Sequence, residues 1–236
     1  ACTMIEARTT LYEDDRAFLL AFVDDREESP WMVASDYHLL ALNAAVLPVR
    51  LYLAARRPDL YISGELAVRY PKPDGTTGQI SPDMLAAYAP RRLRNSFNVA
   101  KEGVFPAFVL EIVSPESDRR DKHDKARLYD LLGAVEYAIF DPRGREGRQL
   151  WGYHRDEQEA WMRWPSAQRE RLHSEVLRLT LEVDGTLLRF RDEAGVLIPI
   201  MEELDADLAD AQSRADEAEA RAAALEAELA RLRRQT

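Results

Sequence analysis

Apolar and polar positions along the chain follow three rhythms. Between residues 35 and 57 apolar side chains recur at helical spacing through Leu39, Leu42, Val46 and Leu51. Ser35 or Asp36 can cap this helix, and Arg56 and Arg57 suit the negative end of its dipole. Pro48 is expected to kink or split it. Residues 8–30 place Phe18, Leu19 and Phe22 in an acidic setting and predict a short helix. Residues 59–63 and 65–70 read as strands, with a turn of Pro, Asp and Gly over 71–78. A short apolar run, 80–86, holds Asp83, and 87–103 read as a loop.

The second rhythm is continuous rather than periodic. Residues 107–113 are apolar on both sides, as in a central strand covered on two faces, and only Glu111 interrupts them. Ser114-Pro115 ends the run. Residues 121–132 predict a helix with Gly133 as its C-terminal cap, and 136–140 a second buried strand closed by Asp141-Pro142. Strand, helix and strand at this spacing imply a right-handed crossover and parallel pairing. Two hairpins follow, one from 148–153 and 160–164, the other from 177–183 and 187–190 about Asp184-Gly185. The fold class is α/β, with a β-rich flank.

The third rhythm begins at Leu204. Leu204, Leu208, Ala211, Ala215, Ala218, Ala222, Leu225, Leu229 and Leu232 recur at steps of four and three, without Gly or Pro. That is a coiled-coil seam. It divides the chain into a domain over 1–200 and a C-terminal coiled-coil helix over 201–236. A homo-oligomer, dimer or higher, is the expectation; a helix lying on its own domain is the alternative.

Charge narrows the functions available. The 236 residues carry a formal net charge of -10, and residues 201–236 hold ten acidic against five basic side chains. Nucleic-acid affinity rests on local Lys and Arg, so this balance argues against indiscriminate DNA coating but leaves room for a narrow cleft. Basic clusters stand at Arg56–Arg57, Arg91–Arg92–Arg94, Arg119–Arg120 and Arg143–Arg145–Arg148. The one cysteine, Cys2, excludes an internal disulfide and a multi-cysteine zinc site. No stretch suggests the roughly 20 apolar residues of a membrane span, and no signal-peptide pattern is seen. A cytoplasmic protein is expected.

Glu111 is the first candidate for chemistry, because an unpaired carboxylate inside an apolar strand is costly. It must be paired, protonated, metal-bound or at the strand's open end. A structural ion pair is the plain account. Asp83, at the end of another apolar run, offers a second carboxylate, and Lys125 follows on the next helix. Two carboxylates suit a hard divalent cation, and a lysine beside them can orient water or offset charge on a phosphate. His38 could approach this site, Glu65 could add a third carboxylate, and Tyr129 could be core or support. His123 and His154 show no metal-ligand spacing. The four tryptophans, Trp31, Trp151, Trp161 and Trp164, read as packing.

The ordered set Pro82-Asp83, 108–115, Asp121, Lys125, Tyr129, 133–137 and Asp141-Pro142 resembles the Uma2 family, within the PD-(D/E)XK nuclease superfamily. The likeness covers roughly residues 30–200 and is most specific from Val109 to Pro142. It implies a restriction-endonuclease-like core, with a central mixed sheet flanked by helices. It implies a Mg²⁺- or Mn²⁺-dependent endonuclease acting on nucleic acid, with DNA as the expected substrate. Asp83 and Glu111 would bind the metal, the Ile112 carbonyl would be a further ligand, and Lys125 would be the catalytic lysine. One departure stands out: the superfamily's lysine two residues past the Glu is Val113 here, so the lysine is expected on the following helix, with Lys122 as fallback. Asp121 reads as an N-cap. The acidic charge and Val113 also motivate a second reading, a non-catalytic interaction module that self-associates through its C-terminal helix.

Overall fold

The computed structural model describes residues 12–22, 35–113, 124–144, 147–164 and 171–233. The chain divides into two compact units, residues 1–198 and 199–236.

The first unit is built on a six-stranded sheet in the order β1-β4-β6-β7-β8-β9. Its strands are β1 (Tyr61–Gly64), β4 (Met84–Ala87), β6 (Phe108–Ile112), β7 (Glu136–Phe140), β8 (Leu150–Arg155) and β9 (Trp161–Arg163). β6 and β7 pair in parallel, as the strand–helix–strand spacing predicts, and every other pair is antiparallel. The sheet is therefore mixed. Gly152 lies in β8 opposite Ala138, where a Cβ would meet the Tyr137 carbonyl oxygen at 2.1 Å. Only glycine lets these two strands approach so closely.

Both faces of this sheet are covered. Phe108, Leu110, Ile112, Ala138 and Phe140 share one core with Ala41, Ala45, Val49 and Leu53. Those last four are the buried stripe of helix α2 (Asp36–Arg56). Across the sheet, Val109, Tyr137 and Ile139 pack with Leu19 of α1 (Glu13–Ala21) and with Leu128 and Tyr129. The alternation along β6 and β7 distributes successive side chains to the two layers. A three-stranded antiparallel sheet, β10 (Arg171–Ser174), β11 (Leu179–Asp184) and β12 (Leu187–Arg191), adds to the first core.

Several expectations change here. Pro48 neither ends nor divides α2; it sits buried inside one 21-residue helix. By length and composition alone α2 would pass as a membrane span, but one stripe of it packs on the sheet while Leu39, Leu40, Leu47 and Leu51 are exposed. Residues 87–103 contain β5 (Phe97–Asn98) and the single turn α3 (Val99–Glu102), anchored by buried Phe97 and Val99. β2 (Val68–Pro71) pairs with β3 (Thr77–Ile80) and β5 in a separate small sheet. The helix predicted over 121–132 is described as α4 (Lys125–Leu132), and Gly133 caps it in the left-handed region at φ 92°. Asp121 and Lys122 lie outside the described residues, as do His123 and Trp31.

A buried carboxylate ties the two larger sheets together. Glu136, at the start of β7, accepts hydrogen bonds from the Ser174 hydroxyl and from the Glu175 and Val176 amides, the latter two at 2.8 and 3.2 Å. These groups form the turn between β10 and β11. Burial pushes the Glu136 carboxyl up to about 7, against the opposing effect of its three donors.

The second unit is α5 (Met201–Arg233), a helix of 33 residues. A coiled coil is not shown by one chain.

Candidate active site

The antiparallel register of β4 and β6 pairs Met84 with Leu110. One step beyond that pair, Asp83 enters β4 beside Glu111 near the end of β6. The two carboxylates therefore come from adjacent inner strands, at one end of those strands. Asp83 is held through both ends of its residue. Its carbonyl accepts from the Glu65 amide at 3.2 Å, and its Oδ2 accepts from the Ile112 amide at 2.6 Å.

His38, on the first turn of α2, brings its Nε2 to 3.2 Å from Asp83 Oδ1. Ser35 caps that turn by accepting from the His38 amide at 3.3 Å. The hydrogen bond to Asp83 is the main reason the His38 imidazole titrates above its ordinary value; burial opposes this, and the Asp83 charge and the Ile112 backbone reinforce it. The histidine that could approach the site is thus brought against the predicted carboxylate.

Glu111 is 3% exposed. Its Oε2 lies 3.0 Å from Lys125 Nζ, and its Oε1 accepts from the Tyr129 hydroxyl at 2.5 Å. Lys125 opens α4 and Tyr129 lies one helical turn later, so one helix face presents both groups to one carboxylate. This meets the geometric requirement set by the lysine's displacement from position 113: the helix start packs over the strand end. Tyr129 is both core and carboxylate partner, with its ring 4.8 Å from that of Tyr137.

Glu65 stands in the left-handed region at φ 48°, with its amide on the Asp83 carbonyl and its charge helping to raise His38, yet among the described residues no three His, Cys, Asp or Glu side chains group as a metal site. His154 lies on β8 against Trp164, with ring centroids 6.1 Å apart. Trp151 and Trp164 are buried, and Trp161 stacks on Tyr153 at 5.9 Å.

Two of the four predicted basic clusters are structural. Arg91 donates to the carbonyls of Leu53, Ala54, Arg57 and Leu60 around the end of α2. Arg92 and Arg94 both bind Glu102, whose carboxyl is drawn down to about 2 chiefly by Arg94. Arg57 pairs with Asp59 at 2.9 Å. Arg119, Arg120 and Arg145 lie outside the described residues. Arg143 differs, because it lines an open polar cleft of about 620 Å³ together with Tyr37, Gly144, Gly147 and Gln149. The cleft adjoins the carboxylates through the chain: Tyr37 neighbours His38, and Pro142 follows Phe140, the register partner of Ile112, by two residues.

The donor set fits a hard divalent cation. It offers two carboxylates and a main-chain carbonyl, all oxygen, and Mg²⁺ commonly completes its shell with water and substrate oxygens. Each carboxylate oxygen already accepting one hydrogen bond retains a second lone pair.

No curated protein matches the chain. Among solved structures, the chain is similar to one described as "a putative nuclease belonging to DUF820" from Anabaena variabilis. The identity is 16% and the TM-score 0.43, over 57% of this chain and 72% of that one. The Uma2 family model, described as "Putative restriction endonuclease", matches residues 32–186. That span contains α2, both carboxylates and α4, and it exceeds half of the sequence. The chain therefore belongs to the Uma2 family of restriction-endonuclease-like nucleases.

Proposed function

We propose that this protein is a divalent-metal-dependent endonuclease that hydrolyses phosphodiester bonds in DNA. The observation that carries the reading is the placement of Asp83 beside Glu111, with Lys125 Nζ 3.0 Å from the Glu111 carboxylate. Asp83, Glu111 and the Ile112 carbonyl would hold Mg²⁺ or Mn²⁺, which supplies positive charge to the scissile phosphate and to the attacking water. Lys125 offsets negative charge developing on the phosphate and orients the water. Tyr129 fixes the Glu111 carboxylate from the opposite oxygen. His38 and the Ile112 amide fix Asp83 in the same way. Such preorganisation costs no rearrangement during the reaction.

Cleavage of supercoiled plasmid by wild type, Asp83→Asn, Glu111→Gln and Lys125→Ala tests this. Each substitution is expected to slow cleavage by about 100-fold or more. Equal cleavage by all four proteins would trace the activity to a contaminant and end the proposal.

The cleft at Arg143 gives a second expected result. An arginine fork lining an open cleft suits a flanking phosphate of the substrate. Arg143→Ala is expected to raise KM about tenfold with little change in kcat, the signature of lost uniform binding. Loss of kcat at constant KM would instead place Arg143 in the chemical step.

One observation favours the non-catalytic reading, namely Val113 where the superfamily carries its lysine. Calorimetry with Mn²⁺ separates the two. Heat that disappears in Asp83→Asn and Glu111→Gln supports the enzyme; no heat in wild type supports the interaction module.

A further inference from the structure

The helix α5 exposes a line of leucines that a single chain leaves uncovered. Leu204, Leu208, Leu225 and Leu232 are 40%, 57%, 61% and 54% exposed. They fall on one seam with Ala211, Ala215, Ala218 and Ala222 between them. A solitary exposed helix is stabilised by many charge pairs between successive turns. Among the described residues α5 has one such side-chain pair, Arg221 with Glu217 at 3.0 Å, and both side chains are well exposed. The charges of α5 also flank this seam.

They are arranged to serve a second helix. With Leu208, Ala215, Ala222 and Leu229 at the a positions and Leu204, Ala211, Ala218, Leu225 and Leu232 at d, the flanking g positions are Asp207, Arg214, Arg221 and Glu228. The e positions are Asp205, Gln212, Glu219, Glu226 and Arg233. In a parallel, in-register pair each g residue faces the e residue five positions on in the other helix. Arg214 then meets the partner's Glu219, and Arg221 meets the partner's Glu226. Asp207 meets the partner's Gln212, so no like charges face each other.

Antiparallel pairing sets g against g and e against e. With the seam ends matched, Arg221 faces the partner's Arg221 and Glu219 faces the partner's Glu219. Sliding by one heptad sets Arg214 against the partner's Arg221, or Glu219 against the partner's Glu226. Each of these registers places like charges together, although the first also brings Arg214 to the partner's Glu228 and Asp205 to the partner's Arg233; the parallel register, in which Glu228 meets the partner's Arg233, has no like-charged pair.

We infer that the α5 seam is the interface of a parallel, in-register, two-stranded coiled coil with a second copy of this chain. The leucines close its ends, and the alanines let the backbones approach along the middle. Because α5 follows directly on the first unit, a parallel coil tethers both nuclease units at the same end. The inference rests on the helix alone and is independent of the chemistry at Glu111.

Light scattering on the full chain at micromolar concentration is expected to give the mass of a dimer. Leu208→Asp/Leu225→Asp is expected to give a monomer. In a Cys2→Ser background, Leu204→Cys and Leu232→Cys should each oxidise to a covalent dimer, since a disulfide needs Cα atoms within about 7 Å and only parallel pairing brings identical d positions together. Arg214→Glu/Arg221→Glu should weaken self-association at least tenfold, and mixing with Glu219→Arg/Glu226→Arg should restore it. A monomeric wild type, a larger assembly, or a dimer surviving Leu208→Asp/Leu225→Asp would overturn the inference. So would a dimer in which neither introduced cysteine cross-links.

Discussion

Lys125→Met is expected to lower the free energy of unfolding by about 3 kcal/mol, as removal of one partner from a buried ion pair does. The Glu111 carboxylate, 3% exposed, would keep the Tyr129 hydroxyl but lose the ammonium at 3.0 Å. Urea unfolding at neutral pH measures the loss. The double variant Glu111→Gln/Lys125→Met is expected to recover at least about 1 kcal/mol over the sum of its single changes, because neither charge then stays buried without the other. Strict additivity would mean that the pair contributes no coupling. The experiment matters for the functional reading as well. An inactive Lys125 variant is informative only if it remains folded, so cleavage is best assayed where circular dichroism matches wild type.

The second large effect lies at the opposite end of the parallel strands. Glu136 is protonated more readily in the fold than in the unfolded chain, since burial raises it from 4.5 to about 7. A raised carboxyl favours the folded state below its unfolded value, and this contribution is lost as pH rises through about 7. At 1.36 kcal/mol per unit, the shift corresponds to about 3 kcal/mol lost between pH 5 and 8. Glu136→Gln mimics the protonated form and can still accept from the Glu175 and Val176 amides. It is expected to unfold at nearly the wild-type urea midpoint at pH 5 and to be the more stable protein at pH 8. Parallel pH profiles for the two proteins would assign the effect to another group.

The sequence made the crossover legible because its evidence is local. Residues 107–113 and 136–140 are uniformly apolar, and the helix between them ends at a glycine that does take the left-handed conformation. Glu111 was legible for the same reason, as a charge that an apolar strand admits only with a partner, a proton, a metal or an open strand end. Asp83 and Lys125 were joined to it through family likeness, since strand pairing across 28 residues leaves no local trace. His38 was harder still. Nothing in a single histidine on an amphipathic helix shows that the helix start will meet a strand edge. β10 was missed because Arg171–Ser174 becomes a strand only through pairing with β11. Pro48 misled because the penalty for an interior proline is local, whereas the packing of Ala45 and Val49 on the sheet is not.

Gly152 carries a consequence for any mutational scan of this chain. A Cβ there would collide with main chain at 2.1 Å, so every substitution should reduce the abundance of the protein in cells, whatever activity is selected. Asp83 sits at a strand end, and its isosteric amide, which can still accept from the Ile112 amide, should leave abundance nearly intact while cleavage falls. Scoring one library twice, for abundance and for cleavage, would therefore divide the residues around this sheet into those that hold strands together and those reserved for chemistry.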